Sequence, residues 1–136
     1  MAATCGTGSA DWFSTGTLHQ PYEKVFDTTR ELLEKSHRFR IETADRQSGE
    51  IVTQWKVTLS PHWREGKRDR VEVEILRDPG GTIQVRIRTP REFNDNGRNP
   101  MIEREADWTS EGGNNELSER IGLQLRMRLK GLKLDD

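Results

Sequence analysis

The chain has little cysteine, little net charge and no long apolar run. Cys5 is its single cysteine, so an internal disulfide and a cysteine-based zinc site are excluded. No stretch of about 18 apolar residues is present, which excludes a transmembrane helix within this sequence. Twenty-two Lys and Arg balance 23 Asp and Glu, and this balance argues against a general binder of nucleic acid or anionic membranes.

The chain is also poor in apolar residues. Hydrophobic residues make up 31% and charged residues 33% of the sequence, whereas about 45–50% and about 25% are typical. A length of 136 residues suits one domain with one modest core. We expect residues 1–19, which are mostly small and polar, to form a flexible tether in which residues 13–19 add a short edge strand. Residues 20–132 are expected to form a single domain.

Two segments have the periodicity of amphipathic helices. The first, residues 21–36, begins at Pro21 and has apolar residues at intervals of three and four. The second has apolar residues four apart from Leu117 to Leu129, with Asn114 or Asn115 placed to cap it. A helix with a single apolar stripe buries that stripe against another layer, so both segments need a surface to cover.

Alternation of apolar and polar residues between the helices predicts antiparallel strands. The expected strands are residues 38–43, 51–59, 71–75, 83–88 and 102–108, separated by polar loops at Ser60–Arg70, Pro90–Pro100 and Thr109–Asn115. Gly49, at the end of a polar turn, is expected at positive φ.

The hairpin around Pro79–Gly81 permits a prediction of register, because directly opposed residues lie on the same face of a sheet. Apolar residues then meet apolar residues, and glutamates meet arginines. The predicted pairs are Val73 with Ile87, Ile75 with Val85, Glu74 with Arg86, and Glu72 with Arg88.

These elements predict an α+β fold of two layers, in which both helices pack on one face of an antiparallel sheet of four to five strands. Ile51, Trp55 and Val57 alternate along one strand and are expected to point into the core together. The opposite face of the sheet, which carries glutamates and arginines, is expected to contact water.

No catalytic, cofactor-binding or metal-binding residues are predicted, so we do not expect an enzyme. His19, His37 and His62 lack the spacing of metal ligands. The carboxylate pairs Glu72/Glu74 and Glu103/Glu105 fit the solvated faces of strands better than acid–base catalysis, because arginines are expected beside them.

Two polar loops are the predicted contact surface for a protein partner. The first contains Pro61, His62, Trp63 and Arg64, and a tryptophan with basic neighbours is typical of an interaction hot spot. The second contributes Phe93. An alternative stays open, in which Trp63 folds back onto the edge of the sheet.

Four segments, taken in order, resemble small bacterial envelope lipoproteins that contain a BamC-like, helix-grip domain: VFDTTRELLEKSHRFRI, DRQSGEIVTQW, RDRVEVEI and ADWTSEGGNNELSERIGLQLRMRL. The resemblance covers about residues 20–130. The positions that match the family pattern are Asp45, Gly49, Ile51, Thr53, Trp55, Arg70 and Trp108.

The resemblance implies a non-catalytic domain that acts through protein–protein contacts in outer-membrane or envelope assembly. It also implies that Cys5 is a site of lipid attachment and that the membrane is reached only through this anchor, which places the chain in the bacterial cell envelope. If Met1 is the native start, the cytoplasm is the alternative. The alternative function is a soluble helix-grip domain that binds a small apolar ligand between helix and sheet, beneath Tyr22 and Phe26.

Overall fold

The computed structural model of the chain describes residues 10–62 and 64–130. Its elements, in chain order, are β1 (Phe13–Leu18), α1 (Tyr22–Glu31), a π-helical turn (Leu32–Ser36), β2 (Ile41–Asp45), β3 (Glu50–Thr53), β4 (Lys56–Thr58), β5 (Lys67–Asp69), β6 (Glu72–Arg77), β7 (Ile83–Arg88), β8 (Pro90–Asn94), a 3₁₀ turn (Glu103–Glu105), β9 (Trp108–Gly113) and α2 (Asn115–Leu129).

The strands form two antiparallel sheets, with five strands in the order β1-β7-β6-β3-β2 and four in the order β4-β5-β8-β9. Three chain segments pass directly from one sheet into the other, because β3 leads to β4, β5 to β6, and β7 to β8 after one or two residues. Backbone hydrogen bonds continue across these junctions, from Thr53 N to Val71 O and from Arg70 N to Pro90 O. The structure therefore contains the expected sheet, with five strands, and a second sheet of four strands that was not predicted.

Both helices join one hydrophobic core with the inner face of the five-stranded sheet. Helix α1 and its π-helical turn contribute Phe26 and Leu33, and α2 contributes Leu125. These side chains and those of Val73 and Val85 have no more than 1% of their surface exposed. Asn114 caps α2, since its side-chain oxygen accepts a hydrogen bond from Leu117 N. The α+β class and the common core of the two helices agree with the sequence prediction.

The predicted register of the β6–β7 hairpin is confirmed at all four pairs. Val73 lies opposite Ile87 and Ile75 lies opposite Val85 on the core face. On the outer face the opposed charges form ion pairs, with Arg86 3.4 Å from Glu74 and Arg88 2.6 Å from Glu72. Apolar alternation and charge therefore select the same register.

The turn between β2 and β3 is fastened to both α1 and β6. Gly49 has φ 79°, and its carbonyl accepts a hydrogen bond of 2.8 Å from Ile75 N. Arg46 pairs with Glu23 and Asp27 of α1, and its guanidinium lies over the ring of Phe26. The hydrogen bond that Arg46 donates to Asp27, together with the nearby charges of Asp27 and Glu23, raises the pKa of Arg46 above its usual value.

Several predicted boundaries are wrong. The edge strand expected at residues 13–19 is confirmed as β1, which pairs with β7 at the edge of the five-stranded sheet, so the tether cannot extend to residue 19. β5 and β8 occupy parts of the expected loops. Apart from Phe93, their paired residues are charged, so neither strand shows an alternation of apolar residues. Near the end of the chain, Glu103–Glu105 form a 3₁₀ turn, and β9 begins at Trp108, where the expected strand ends.

We predict that Gly49→Ala destabilises the protein more than Gly81→Ala does. Both glycines have positive φ, which costs an L-residue about 1–2 kcal/mol. A Cβ at position 49 would also lie 2.4 Å from Ile75 O, whereas nothing lies within 4 Å of a Cβ at position 81. The clash should add about 1–3 kcal/mol at position 49, measured as the difference in free energy of unfolding in urea. Equal losses in the two variants would contradict the packing described here.

Candidate functional site

The segment that joins β3 to β4 contains one residue more than the opposing segment that joins β5 to β6. Val52 lies opposite Glu72 in the first sheet, so an unbroken register would bring Lys56 opposite Arg68. Instead Lys56 lies opposite Asp69, and Val57 lies opposite Arg68. The extra residue lies at Gln54–Trp55, which separates the two strands. A bulge of this kind reverses the faces on which the following side chains lie.

The bulge places Trp55 on the outer face of the sheet, so the prediction that it points into the core is wrong. Its indole is partly exposed, and the guanidinium carbons of Arg68 and Arg70 lie 4.3 and 4.8 Å from its ring centroid. Val57, which was expected to share the core with Ile51, lies opposite Arg68 on the same outer face. Only Ile51 of the three is buried in the core.

Three tryptophans and four arginines come together on this outer face. Arg68 contacts two indoles, because its guanidinium carbon lies 4.6 Å from the centroid of Trp108 as well as 4.3 Å from that of Trp55. Arg86 and Arg88 lie 4.5 and 4.4 Å from the centroid of Trp12. We call this surface the Trp–Arg face, and it comprises Trp12, Trp55, Trp108, Arg68, Arg70, Arg86, Arg88, Glu72 and Glu92.

Glutamates link the cation–π contacts into one network. Glu72 has 13% of its side chain exposed and accepts hydrogen bonds from both Arg70, at 2.9 Å, and Arg88, at 2.6 Å. Glu92 accepts a hydrogen bond of 2.8 Å from Arg68 Nε. A continuous series of contacts therefore runs from Trp12 to Trp108. Exposed cation–π contacts contribute about 0.5–1 kcal/mol each, so their main effect is to hold the side chains in fixed positions.

The residues that the sequence predicted to contact a partner are not members of the Trp–Arg face. Pro61 and His62 are exposed, and Arg64 follows at φ 63° with its guanidinium carbon 4.0 Å from the centroid of Phe93. The ring of Phe93 is only 5% exposed and supports this loop from below, so it offers no free surface to a partner. Trp63 and Cys5 lie outside the described residues.

Sequence reasoning missed the site as a unit because it assigned Trp55 to the core. Arg70 and Trp108 were singled out only by the resemblance, and neither was expected to lie near Trp55. The signal that was available is the spacing of Arg68, Arg70 and Glu72, which puts all three on one face of a continuous segment. Trp12 lies before the first strand and gave no signal.

The site is built from charged and aromatic groups, without a metal centre. Across residues 10–62 and 64–130, no three His, Cys, Asp or Glu side chains gather in an arrangement that could hold a metal ion.

Neither helix of this part of the chain has the length and apolar character needed to cross a membrane.

Comparison with known proteins gives no family for the chain. No protein-family model matches it, and a search of curated proteins finds no significant match.

We predict a measurable coupling between Arg68 and Trp108. Arg68→Met and Trp108→Leu, made singly and together, should give a double-mutant coupling of about 0.5–1 kcal/mol, since each change removes the same cation–π contact. The free energies of unfolding in urea supply the cycle. Arg30→Met on α1 serves as the control, because Arg30 pairs with Glu34 in that helix. It should be additive with Trp108→Leu, and additivity in both cycles would argue against the contact.

Proposed function

We propose that the chain is a non-catalytic domain of the bacterial cell envelope, with a helix-grip arrangement of the BamC-like type, that acts through protein–protein contacts. We further propose that the Trp–Arg face is its contact surface. The observation that carries this proposal is the joining of three indoles and four guanidiniums into one network on the side of the sheet opposite the helices.

The arginines of the Trp–Arg face stay accessible to a partner. Their side chains are between 23% and 38% exposed, with Arg68 the most covered and Arg88 the least. Tryptophan and arginine are the residues most enriched in interface hot spots. Side chains already fixed by stacking lose little conformational entropy when a partner binds, so this surface is well prepared for association.

The carboxylates of this face serve structural pairing. Glu72 is held by two guanidiniums and Glu92 by one, so the polar groups of the network satisfy one another. This arrangement fits a rigid recognition surface, which supports a binding function over acid–base chemistry.

The resemblance to BamC-like lipoproteins gives the proposal its cellular setting. Of the seven matching positions, four lie in the β2–β3 hairpin: Asp45 ends β2, Gly49 is in the turn, and Ile51 and Thr53 are in β3. The remaining three, Trp55, Arg70 and Trp108, lie on the Trp–Arg face. A pattern that includes the contact surface as well as the turn and core is consistent with a shared mode of binding.

The alternative, a small apolar ligand beneath Tyr22 and Phe26, receives no support from the packing at that place. Side chains that line a ligand-sized cavity expose area to it. Val25 and Leu33 have 0% of their surface exposed, and Phe26 has 1%. The apolar stripe of α1 is thus filled by core side chains.

We predict that the Trp–Arg face cross-links to a protein partner in cells. A photo-reactive amino acid at Val52, which lies opposite Glu72 on the outer face, should give a discrete adduct on gels. The same amino acid at the exposed Glu31 of α1 should give none. Trp12→Ala with Arg86→Ala should weaken the Val52 adduct about thirtyfold, because a hot-spot contact contributes about 2 kcal/mol, while Lys24→Ala should leave it unchanged. Adducts of equal strength at both positions would contradict the proposal.

We also predict that the protein is anchored through Cys5. Expressed from its natural gene, the protein should sediment with membranes and incorporate a labelled fatty acid. Cys5→Ser should move it to the supernatant and abolish the label, because anchoring depends on the buried acyl chain. A wild-type protein found only in the supernatant would exclude the anchor while leaving the contact surface to its own test.

A further inference from the structure

A cavity of about 250 Å³ lies where the start of β4 meets the segment after the π-helical turn. Three cations line it, Arg38, Arg40 and Lys56, and no acidic side chain does. Gln54 adds an amide, while Trp55 and Phe39 add aromatic surface. In a chain with 22 basic and 23 acidic residues, such a local separation of charge needs an explanation.

Among residues 10–62 and 64–130, no carboxylate pairs with the cations of this cavity, in contrast to those of the Trp–Arg face. Within the described residues, Arg38 and Arg40 form no ion pair, whereas Arg68 and Arg70 each have one. Lys56 donates a hydrogen bond of 2.9 Å to His37 O, and its ammonium lies 5.1 Å from the centroid of Phe39. All three cationic side chains are exposed, so they are available to an anion.

The backbone that presents these cations is strained at Arg38. Its φ of 59° is in the left-handed region, which residues with a Cβ seldom adopt and which often ends a helix. Arg38 is held there by its neighbours, since Phe39 N donates to Leu33 O at 2.9 Å and Arg40 O accepts from Gln54 N at 2.8 Å. The buried ring of Phe39 fixes the segment between the two arginines.

We propose that this cavity binds the phosphate group of a phosphorylated ligand. Two guanidiniums and an ammonium supply more positive charge than a single carboxylate would neutralise, and they suit a dianionic oxyanion with several acceptor oxygens. The cavity is smaller than the roughly 300–1,000 Å³ of sites that enclose drug-sized molecules, which fits recognition of a phosphate at the end of a ligand. Trp55 borders the cavity and offers apolar surface to the adjoining group.

The same phosphate chemistry has two sources, a free phosphorylated compound and a phospholipid headgroup, and two probes separate them. Inorganic pyrophosphate tests the free source by calorimetry, and vesicles of phosphatidylcholine with phosphatidic acid, whose headgroup is a terminal phosphate, test the headgroup by flotation. The full chain is used in both measurements. Binding to pyrophosphate assigns the free source, and binding to the anionic vesicles alone assigns the headgroup.

Three variants test the residues. Arg38→Gly removes a cation while keeping a backbone conformation that glycine adopts without strain. Arg40→Gln and Lys56→Gln remove the others. Each should weaken binding about tenfold, as expected when a hydrogen bond to a charged group is lost. The control variant Lys24→Gln on α1 also removes one positive charge, and should change binding less than about twofold. Unfolding in urea checks that every variant is folded.

The proposal is overturned if neither probe binds to the folded wild-type protein. It is equally overturned if the cavity variants bind as well as the control, since that result would mean attraction by general surface charge. Both outcomes are independent of cross-linking at the Trp–Arg face.

Discussion

One extra residue at Gln54–Trp55 determines what the outer face of the sheet presents. Because side chains alternate with a period of two, the bulge moves Trp55 and Val57 from the core side to the outer side. The core does not need them, since Ile51, Val73 and Val85 fill it with no exposed surface. Once outside, the indole of Trp55 lies within reach of two guanidiniums of β5 and the residue after it. The Trp–Arg face therefore depends on a local change of register.

Buried threonine hydroxyls support the backbone where the regular pairing is interrupted. Thr53, which precedes the bulge, accepts a hydrogen bond of 2.8 Å from Val71 N. Thr15 lies within the irregular part of β1 and accepts one of 3.1 Å from Val85 N. Between β7 and β8, the hydroxyls of Thr89 and Ser118 lie 2.9 Å apart and tie the junction to α2. These bonds satisfy groups that would otherwise be buried without partners. The interruptions of the strand pairing therefore cost the folded state little free energy.

The sequence predicts those parts of the fold in which two independent signals agree. In the β6–β7 hairpin, apolar alternation and opposed charges demand the same register, and the structure has it. At Trp55 only one signal exists, because residues 51–59 alternate without a break and nothing in the pattern reveals a bulge. β5 and β8 were missed for a related reason. Their pairs join charges, such as Arg68 with Glu92 and Asp69 with Arg91, and a strand without an apolar face gives no periodic signal.

Net charge is a property of the whole chain, whereas binding depends on charge within about one Debye length, roughly 8–10 Å in physiological salt. The near balance of acids and bases led us to expect no general binding of nucleic acid or anionic membranes, and a pairing of opposite charges is present on the Trp–Arg face, where Glu72 and Glu92 pair with arginines. The balance does not describe the cavity at Arg38, Arg40 and Lys56, which no carboxylate lines. Trp55 contributes to both surfaces, with Arg68 and Arg70 stacked on its ring and the cavity at its border. A ligand in the cavity would therefore contact the same indole that organises the proposed partner surface, which makes Trp55 the residue through which the two sites can affect each other.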